Sequence, residues 1–303
     1  ELLANIRNVH YILYHDEFEQ NFQCKWGVLS YLNPEDDIKL RTYNYFCKLN
    51  PDTLEILSSD EIDTSKNDIE PVWEFIGLED VRLFRWEKQL YASGVRRDVK
   101  ENGEGRIELC KLDITPDGVI EATRDRVEVD PHTHLEKNWM PILDMPFHFV
   151  RWCNPLEIIK VNPNNKSKQK ALKGELDIID SEVVFKSNKP LDLPLGLRGS
   201  SQVIPFGDNG DRICVTHETH FFWHQNKKKD AQYYHRFIIW DKDWNIKKVS
   251  EQFKFMDAMI EFACGLVIKD NNFIITYGYQ DNAAYALKMP IQLLDKLKWD
   301  IDE

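Results

Sequence analysis

The chain has 303 residues, of which 42% are hydrophobic and 12% aromatic, so it can bury a large core and is not disordered. Its 51 acidic residues outnumber its 39 Lys and Arg residues, which gives a net charge of −12. This charge excludes broad contact with nucleic acid or an anionic membrane surface, so any bound anion must be held by a few placed cations.

The lack of a recognisable targeting signal and the pattern of cysteines favour a cytoplasmic protein. The sequence shows no signal peptide and no apolar run near the roughly 20 residues needed to span a membrane. The six cysteines lie far apart without a Cys-x-x-Cys pair, which is typical of reduced, mostly buried cysteines. The first residue is Glu1 and not Met, which leaves a longer parent chain open, and an oligomer stays open as well.

Five segments with a common outline recur along the chain: an apolar anchor, a polar pair and a short apolar strand. The clearest is Gly-Leu-Glu-Asp-Val-Arg-Leu-Phe at residues 77–84. Successive anchors lie 56, 57, 62 and 63 residues apart; they are Phe22, Leu78, Leu135, Leu197 and Ile260. Units of near-constant length indicate a repeat architecture.

Each repeat continues with further β-rich runs that are bounded by turn residues. Second strands are predicted at residues 38–46, 89–95, 147–152, 212–217 and 273–278, and third strands at 106–112, 233–240 and 283–287. A turn is predicted at residues 269–272, loops at 60–68 and in the lysine-rich stretch 162–173, and a short terminal helix at 293–298.

Repeated antiparallel sheets of this size can hide their edges by closing radially into a β-propeller. The predicted fold class is therefore all-β: a five-bladed β-propeller with a short C-terminal helix. Residues 1–303 are expected to form it as a single domain. An N-terminal strand at residues 6–14 is expected to complete the last blade and so join the two chain ends.

The inner strand of each propeller blade starts near the central axis, so the polar pairs that follow the anchors are expected to converge in one funnel. Carboxylates and cations at close quarters shift each other's pKa values and can supply a proton donor beside an anion site. The competing interpretation is that these residues are salt bridges and caps between blades. The pairs are Gln23 with Lys25, Glu79 with Asp80 and Arg82, Glu136 with Lys137, Arg198 with Ser200, and Glu261.

Residues 77–83 resemble the Glu-Asp-Pro-Arg signature of glycoside hydrolase family 130, with Val81 in place of the proline. That family contains five-bladed β-mannoside phosphorylases and hydrolases, and its architecture is shared by the β-mannosyltransferases of glycosyltransferase family 108. Other segments resemble the family in the same order: Arg41 with residues 42–45, residues 136–139, residues 215–217, and residues 264–267 followed by the run Tyr277-Gly-x-x-Asp281.

The resemblance implies an enzyme that transfers a glycosyl unit, most simply a mannosyl unit, as a β-glycoside phosphorylase or a glycosyltransferase acting on an oligosaccharide or glycan. Asp80 would be the general acid, with Glu79 as the second catalytic carboxylate. Phosphate or a sugar nucleotide would be the co-substrate, with no cofactor and no metal. The implied substrate- and phosphate-binding residues are Arg41, Arg82, Lys137, Arg198, His217, Glu261, Tyr277 and Asp281.

Two alternatives stay open. An inverting glycoside hydrolase would need a second carboxylate as its base, for which the sequence offers Glu79, Glu136, Glu218 and Glu261. A catalytically silent propeller that binds a glycan or a protein partner is the other alternative, because a fold does not dictate a function. The dispersed cations favour the enzyme, since a neutral sugar does not need them for binding.

Overall fold

The computed structural model describes residues 1–9, 11–13, 21–24, 27–31, 40–188, 190–193, 197–223 and 229–302. These residues form an all-β structure with a single short 3-10 helix. They divide into two compact units. Unit 1 comprises Glu1–Leu83, Gln89–Lys137 and Asn162–Ser181, and unit 2 comprises Phe84–Lys88, Asn138–Val161 and Glu182–Glu303.

The strands alternate with short turns along the whole described chain. The first eleven are β1 (Leu2–Val9), β2 (Tyr11–Leu13), β3 (Asn21–Cys24), β4 (Gly27–Tyr31), β5 (Leu40–Leu49), β6 (Ile56–Asp63), β7 (Phe75–Ile76), β8 (Leu78–Trp86), β9 (Gln89–Arg96), β10 (Arg106–Thr115) and β11 (Gly118–Glu128). The others are β12 (Met140–Pro141), β13 (His148–Cys153), β14 (Leu156–Ala171), β15 (Gly174–Lys186), β16 (Arg198–Gly199), β17 (Ile204–Phe206), β18 (Asp211–Trp223), β19 (Lys229–Trp240), β20 (Ile246–Ser250), β21 (Glu261–Lys269), β22 (Asn272–Tyr279), β23 (Ala283–Pro290) and β24 (Trp299–Asp302).

Unit 1 is built on the antiparallel order β8–β9–β10–β11 and on β1–β5–β6, with β6 joined to β11 by a short parallel pairing. β7 pairs in parallel with β5, and β2, β4 and β3 form a small separate sheet. The core between these strands is apolar and includes Phe46, Leu78, Val81, Leu90 and Leu112. The start of β8, which carries the Glu-Asp pair, is thus anchored in this core by Leu78 and Val81.

Unit 2 contains the antiparallel order β16–β18–β19–β20–β24, the sheet β21–β22–β23, and the pairs that β13 makes with β12 and with the first residues of β14. Two buried clusters fill it, one around Trp240 and one around Phe237 and Phe273. The 3-10 helix Ile291–Lys296 contributes Leu294 to the second cluster. This helix confirms the short C-terminal helix expected from the sequence.

Two of the hairpin turns contain two consecutive residues with positive φ. Glu87 and Lys88 both have positive φ between β8 and β9, and Asp270 and Asn271 do so between β21 and β22. Two consecutive positive φ angles are characteristic of the two-residue hairpin turn, whose twist matches that of the strands it joins. The predicted turn at residues 269–272 is therefore confirmed.

Three expectations about strands and loops are wrong, the third of them only in part. The N-terminal strand does not complete the last blade, since β1 pairs with β5 from Leu2–Leu49 to Val9–Thr42. The lysine-rich stretch 162–173 is not a loop, because residues up to Ala171 continue β14. Three of its lysines pair with carboxylates: Lys166 with Asp125 at 2.7 Å, Lys168 with Glu175 at 2.6 Å and Lys173 with Glu70 at 3.2 Å. The predicted loop at residues 60–68 likewise begins inside β6.

Wherever they fall on described residues, the predicted second and third strands lie within observed strands, except that Phe147 lies in the turn before β13. Leu78 opens β8, and Leu197 and Ile260 directly precede β16 and β21, whereas Leu135 lies in a segment without a strand. Lys25 of the first polar pair lies outside the described residues.

Five described cysteines are free, and four of them are buried, as the sequence analysis expected. Across the described ranges, we find no helix that is long and apolar enough to cross a membrane.

Candidate functional site

The backbone turns sharply where β8 begins. Gly77 has a φ of +97° and Asp80 a φ of +53°. A Cβ on Gly77 would lie 2.6 Å from the carbonyl oxygen of Thr42, so only glycine fits there, and the Gly77 N–H donates to Asp98 at 2.9 Å. A non-glycine residue with positive φ costs on the order of 1–2 kcal/mol and persists only where its surroundings hold it. The conformation of Asp80 is thus imposed by its neighbours.

Arg7 on β1 contacts both carboxylates, those of Glu79 and Asp80. Its Nη1 donates to Oδ1 of Asp80 at 3.1 Å, and its Nη2 lies 3.8 Å from Oε2 of Glu79. Nη2 also donates to the hydroxyls of Tyr11 and Thr42. The side chains of Glu79 and Asp80 are 16% and 21% exposed, so the pair remains reachable from solvent.

Sequence reasoning missed Arg7 because 73 residues separate it from Asp80. It belongs to no repeat and to no segment that carries the family resemblance. The only available signal was a lone arginine in a strand-like alternation at the N-terminus.

Glu79 is the electrostatically unusual group of this cluster. Burial raises its pKa above the usual range, and the neighbouring charge of Asp80 raises it further, while Arg7, Arg97 and Lys137 oppose that rise. Its Oε1 is buried and has no hydrogen-bond partner in the described part of the chain. Glu79 therefore keeps a proton to higher pH than a free glutamate does. Among these three cations, Lys137 has an exposed side chain.

Two other predicted cations of unit 1 have different surroundings. Arg82 is only 2% exposed, and its Nη1 donates to the backbone carbonyl of Asp80 at 2.6 Å. It therefore fixes the backbone next to the Asp80 carboxylate, and its predicted role in anion binding stays a prediction. Arg41 is half-buried on β5, with its guanidinium 6.0 Å from the centre of the Tyr43 ring.

In unit 2, Arg198 and His217 face each other across the β16–β18 pair. The Arg198 guanidinium lies over the Trp152 ring at 4.2 Å, a cation–π distance. His217 is buried, its Nδ1 is 2.9 Å from the hydroxyl of Ser200, and its ring stacks on Tyr233. The structure thus brings together the predicted residues Arg198, Ser200 and His217.

The remaining predicted site residues of unit 2 are placed differently. Glu261 is fully buried, and its carboxylate accepts the backbone N–H groups of Phe255, Met256 and Ala258 at 2.5–2.9 Å. This carboxylate therefore caps a loop, and its predicted role in substrate binding stays a prediction. Tyr277 is 7% exposed and stacks on Phe255. Asp281 is exposed in a turn next to β22.

Two other carboxylates that the sequence offered as a hydrolytic base are also buried and bonded. Glu136 accepts the backbone N–H and the hydroxyl of Thr133 at 2.7 and 2.9 Å. Glu218 is 1% exposed and pairs with Arg236 at 2.8 Å. Within the described ranges, we find no group of three or more His, Cys, Asp or Glu side chains that could hold a metal ion.

Comparisons with known proteins find similarity in the fold and none in the sequence. No family model and no curated protein matches the sequence. Among solved structures, a "putative glycoside hydrolase" from Bacteroides ovatus aligns with a TM-score of 0.50 at 12% identity, covering 83% of this chain and 79% of that one. The chain shares the fold of glycoside hydrolase family 130. The resemblance expected from the sequence is thereby confirmed at the level of the fold.

Two structures from Leishmania mexicana are also similar to this chain. A mannose phosphorylase in complex with phosphate ion aligns with a TM-score of 0.48 at 12% identity, covering 98% of this chain and 88% of its own. A GDP-mannose-dependent mannosyltransferase aligns with a TM-score of 0.44 at 12% identity, covering 87% and 81%. At such identities the likeness concerns the fold, and the reaction has to be argued from the chemistry of the site.

Proposed function

We propose that this chain is a carbohydrate-active enzyme that transfers a glycosyl unit, most simply a mannosyl unit, as a β-glycoside phosphorylase or a glycosyltransferase. The observation that carries the proposal is the cluster of Glu79, Asp80 and Arg7 at the start of β8, where two partly exposed carboxylates share one arginine. Phosphate or a sugar nucleotide is the co-substrate, and the reaction needs no further cofactor. The proposal includes a cytoplasmic, five-bladed, single-domain propeller.

The carboxylate pair can hold and deliver a proton. Two neighbouring carboxyl groups titrate as a coupled pair, and the raised pKa of Glu79 favours retention of a proton by that pair. We assign the delivery to Asp80, the more exposed of the two. In phosphorolysis, a phosphate oxygen attacks the anomeric carbon, the bond to the leaving oxygen breaks, and that oxygen takes the proton from Asp80. Arg7 and Arg82 hold the side chain and the backbone of Asp80 in place.

The buried carboxylates favour this chemistry over hydrolysis. An inverting hydrolase needs a second carboxylate across the sugar ring to activate water, about 6.5–9.5 Å from the acid. Glu136, Glu218 and Glu261 are committed to bonds with Thr133, Arg236 and backbone amides, and Glu79 adjoins the acid itself. A phosphorylase or transferase needs one proton-handling site only, because the anionic co-substrate or the sugar nucleotide supplies the other reactive group.

Arg198 and His217 of unit 2 are assigned to binding of the sugar substrate. Recognition of the anionic co-substrate is assigned to two cations of unit 1, the half-buried Arg41 and the exposed Lys137. Guanidinium groups suit this role because their planar fork donates two hydrogen bonds to one phosphate.

The test is turnover of mannose-containing oligosaccharides, with and without phosphate or GDP-mannose, by the wild type and by Asp80→Asn. General acid catalysis by a placed group contributes roughly 10²–10⁴-fold, so Asp80→Asn should lower kcat by that order while thermal stability and substrate KM change little. Asp60→Asn, on the exposed face of β6, is the matched control and should keep full activity.

Three outcomes would contradict the proposal in different ways. Loss of activity in Glu79→Gln but not in Asp80→Asn would move the acid to Glu79. Sugar release that does not depend on phosphate or nucleotide would make the protein a hydrolase. Tight glycan binding without turnover under any condition would make it a silent binding protein.

A further inference from the structure

The hairpin of β18 and β19 extends beyond the strand that flanks its inner end. β16 pairs with β18 at Thr216 and His217 only, whereas β18 and β19 remain paired as far as Trp223 and Lys229. In this outer part, Phe221 is 62% and Trp223 is 68% exposed. Exposed large aromatic side chains that form one patch are typical of binding surfaces.

The exposed rings lie on the same face of the hairpin as His217. Alternate residues of a strand share a face, and directly opposite residues of an antiparallel pair share it too. His217, Thr219, Phe221 and Trp223 therefore line one face with Tyr233, which is opposite Thr219. We call these five residues the aromatic strip. From His217 to Trp223 it spans about 20 Å at the usual rise of a strand.

The inner end of the aromatic strip lies at Arg198 and His217, two predicted site residues of unit 2. The rings of His217 and Tyr233 stack with centroids 5.7 Å apart and an interplanar angle of 15°. Arg198 lies opposite His217, with its guanidinium over Trp152. A ligand that contacts Arg198 and His217 would therefore meet Tyr233 next and Phe221 and Trp223 after it.

We propose that the aromatic strip binds several sugar units of an extended oligosaccharide. This inference rests on the proposed function, because it takes the ligand at Arg198 and His217 to be a glycan. A sugar ring presents an apolar face of C–H groups, which packs on aromatic rings, and hydroxyl edges, which hydrogen-bond to groups such as the Thr219 side chain. The substrate is accordingly a chain of several sugars and not a disaccharide alone.

Other occupants fit the aromatic strip less well. A stable protein partner buries about 800 Å² on each side, whereas the exposed part of the strip consists of two side chains, Phe221 and Trp223. An anionic membrane is disfavoured by the net charge of −12. A chain one sugar wide matches both the length and the narrowness of the surface.

The experiment compares a mannose disaccharide with longer chains of the same linkage, measured by calorimetric binding and by KM. Wild-type affinity should rise with chain length. Trp223→Ala should weaken binding of the long chain roughly tenfold more than binding of the disaccharide, which is the loss expected for one stacking surface. Phe221→Ala should act in the same direction. His220→Ala, on the opposite face of the same hairpin and 49% exposed, is the matched control.

The outcomes separate this inference from the proposed function. If the wild type turns over the disaccharide but its affinity is independent of length, or if Trp223→Ala keeps the wild-type length dependence, the aromatic strip is not a glycan surface although the enzyme is confirmed. Wild-type self-association or vesicle binding that Trp223→Ala abolishes would assign the strip to a second copy or to a lipid surface and overturn the inference. Absence of both binding and turnover with every mannoside would overturn the two proposals together.

Discussion

At the scale of single residues, buried polar groups divide into those that hold the backbone and those left with unused hydrogen-bonding capacity. Glu261 and Glu136 belong to the first kind, since their oxygens accept backbone N–H groups. Glu79 and His235 belong to the second, because Oε1 of Glu79 and Nδ1 of His235 are buried without a hydrogen-bond partner among the described residues. Groups of the second kind make the protein sensitive to pH.

His235 predicts a specific loss of stability in acid. Burial lowers its pKa from 6.5 to about 3, and its Nε2 accepts the Ala263 N–H at 3.4 Å. Between these two pH values the unfolded chain binds a proton that the folded chain does not, so the folded state loses stability as pH falls. His235 lowers the free energy of unfolding by up to about 1.4 kcal/mol for each pH unit. His235→Gln removes this titration. The free energy of unfolding of this variant should therefore fall less steeply with decreasing pH, by about 1.4 kcal/mol per pH unit.

Urea unfolding between pH 7 and 4 measures this effect. His220→Gln is the matched control, because its side chain is half exposed on the same hairpin. Its profile should follow the wild type. Equal slopes for the wild type and His235→Gln would show that His235 is protonated in the folded protein or does not dominate the acid response.

At the scale of elements, the approach of β9 to β8 sets the position of the catalytic pair. Gly94 on β9 lies so close to β8 that a Cβ there would be 2.4 Å from the carbonyl oxygen of Glu79 and 2.9 Å from the Leu78 side chain. The carbonyl oxygen of Glu79 belongs to the backbone, so it cannot move aside as the end of a flexible side chain could. The geometry of Glu79 and Asp80 therefore depends on a glycine in the neighbouring strand.

Gly94→Ala should displace the carboxylate pair as well as destabilise the fold. We expect a loss of about 1–3 kcal/mol in the free energy of unfolding, as in other overpacked cores. Turnover should fall roughly 100-fold, because a displacement of about 1 Å at a reacting group has that effect. Gly278→Ala on β22 is the control, since its Cβ would meet nothing closer than 3.9 Å. If Gly94→Ala lowers stability but retains wild-type kcat, Asp80 does not act where we place it.

At the scale of the whole molecule, the anchor spacing of 56 to 63 residues predicts five blades. A crystal structure should show five sheets around one axis, with β8 and β21 as inner strands, because their first residues carry the recurring outline. The same structure, soaked with phosphate or sulfate, should show the anion bound at Arg41 and Lys137. Four or six blades would refute the repeat count, and an anion bound only elsewhere would refute the assignment of these two cations.

Much of the local structure was determined by the sequence itself. Alternating β-branched and aromatic runs predicted the strands correctly, as β9, β10 and β22 show, since a strand needs only a fitting local pattern and turn residues at its ends. The Glu-Asp pair and its arginine could be chosen as the candidate site for the same reason, because all of them lie within one short segment. The lysine-rich stretch 162–173 was misjudged because its charges are satisfied by distant carboxylates, such as Asp125 for Lys166.

Only the tertiary structure decided which of these groups meet. The bond between Arg7 and Asp80 joins residues 73 positions apart, and the pairing of β1 with β5 that makes it possible carries no local signal. Whether Glu261 binds a ligand or caps a loop depends on three N–H groups that converge on it after folding. Composition and periodicity fix which residues are available for a strand or a site, whereas burial and long-range pairing fix their environment, and the environment sets pKa and role.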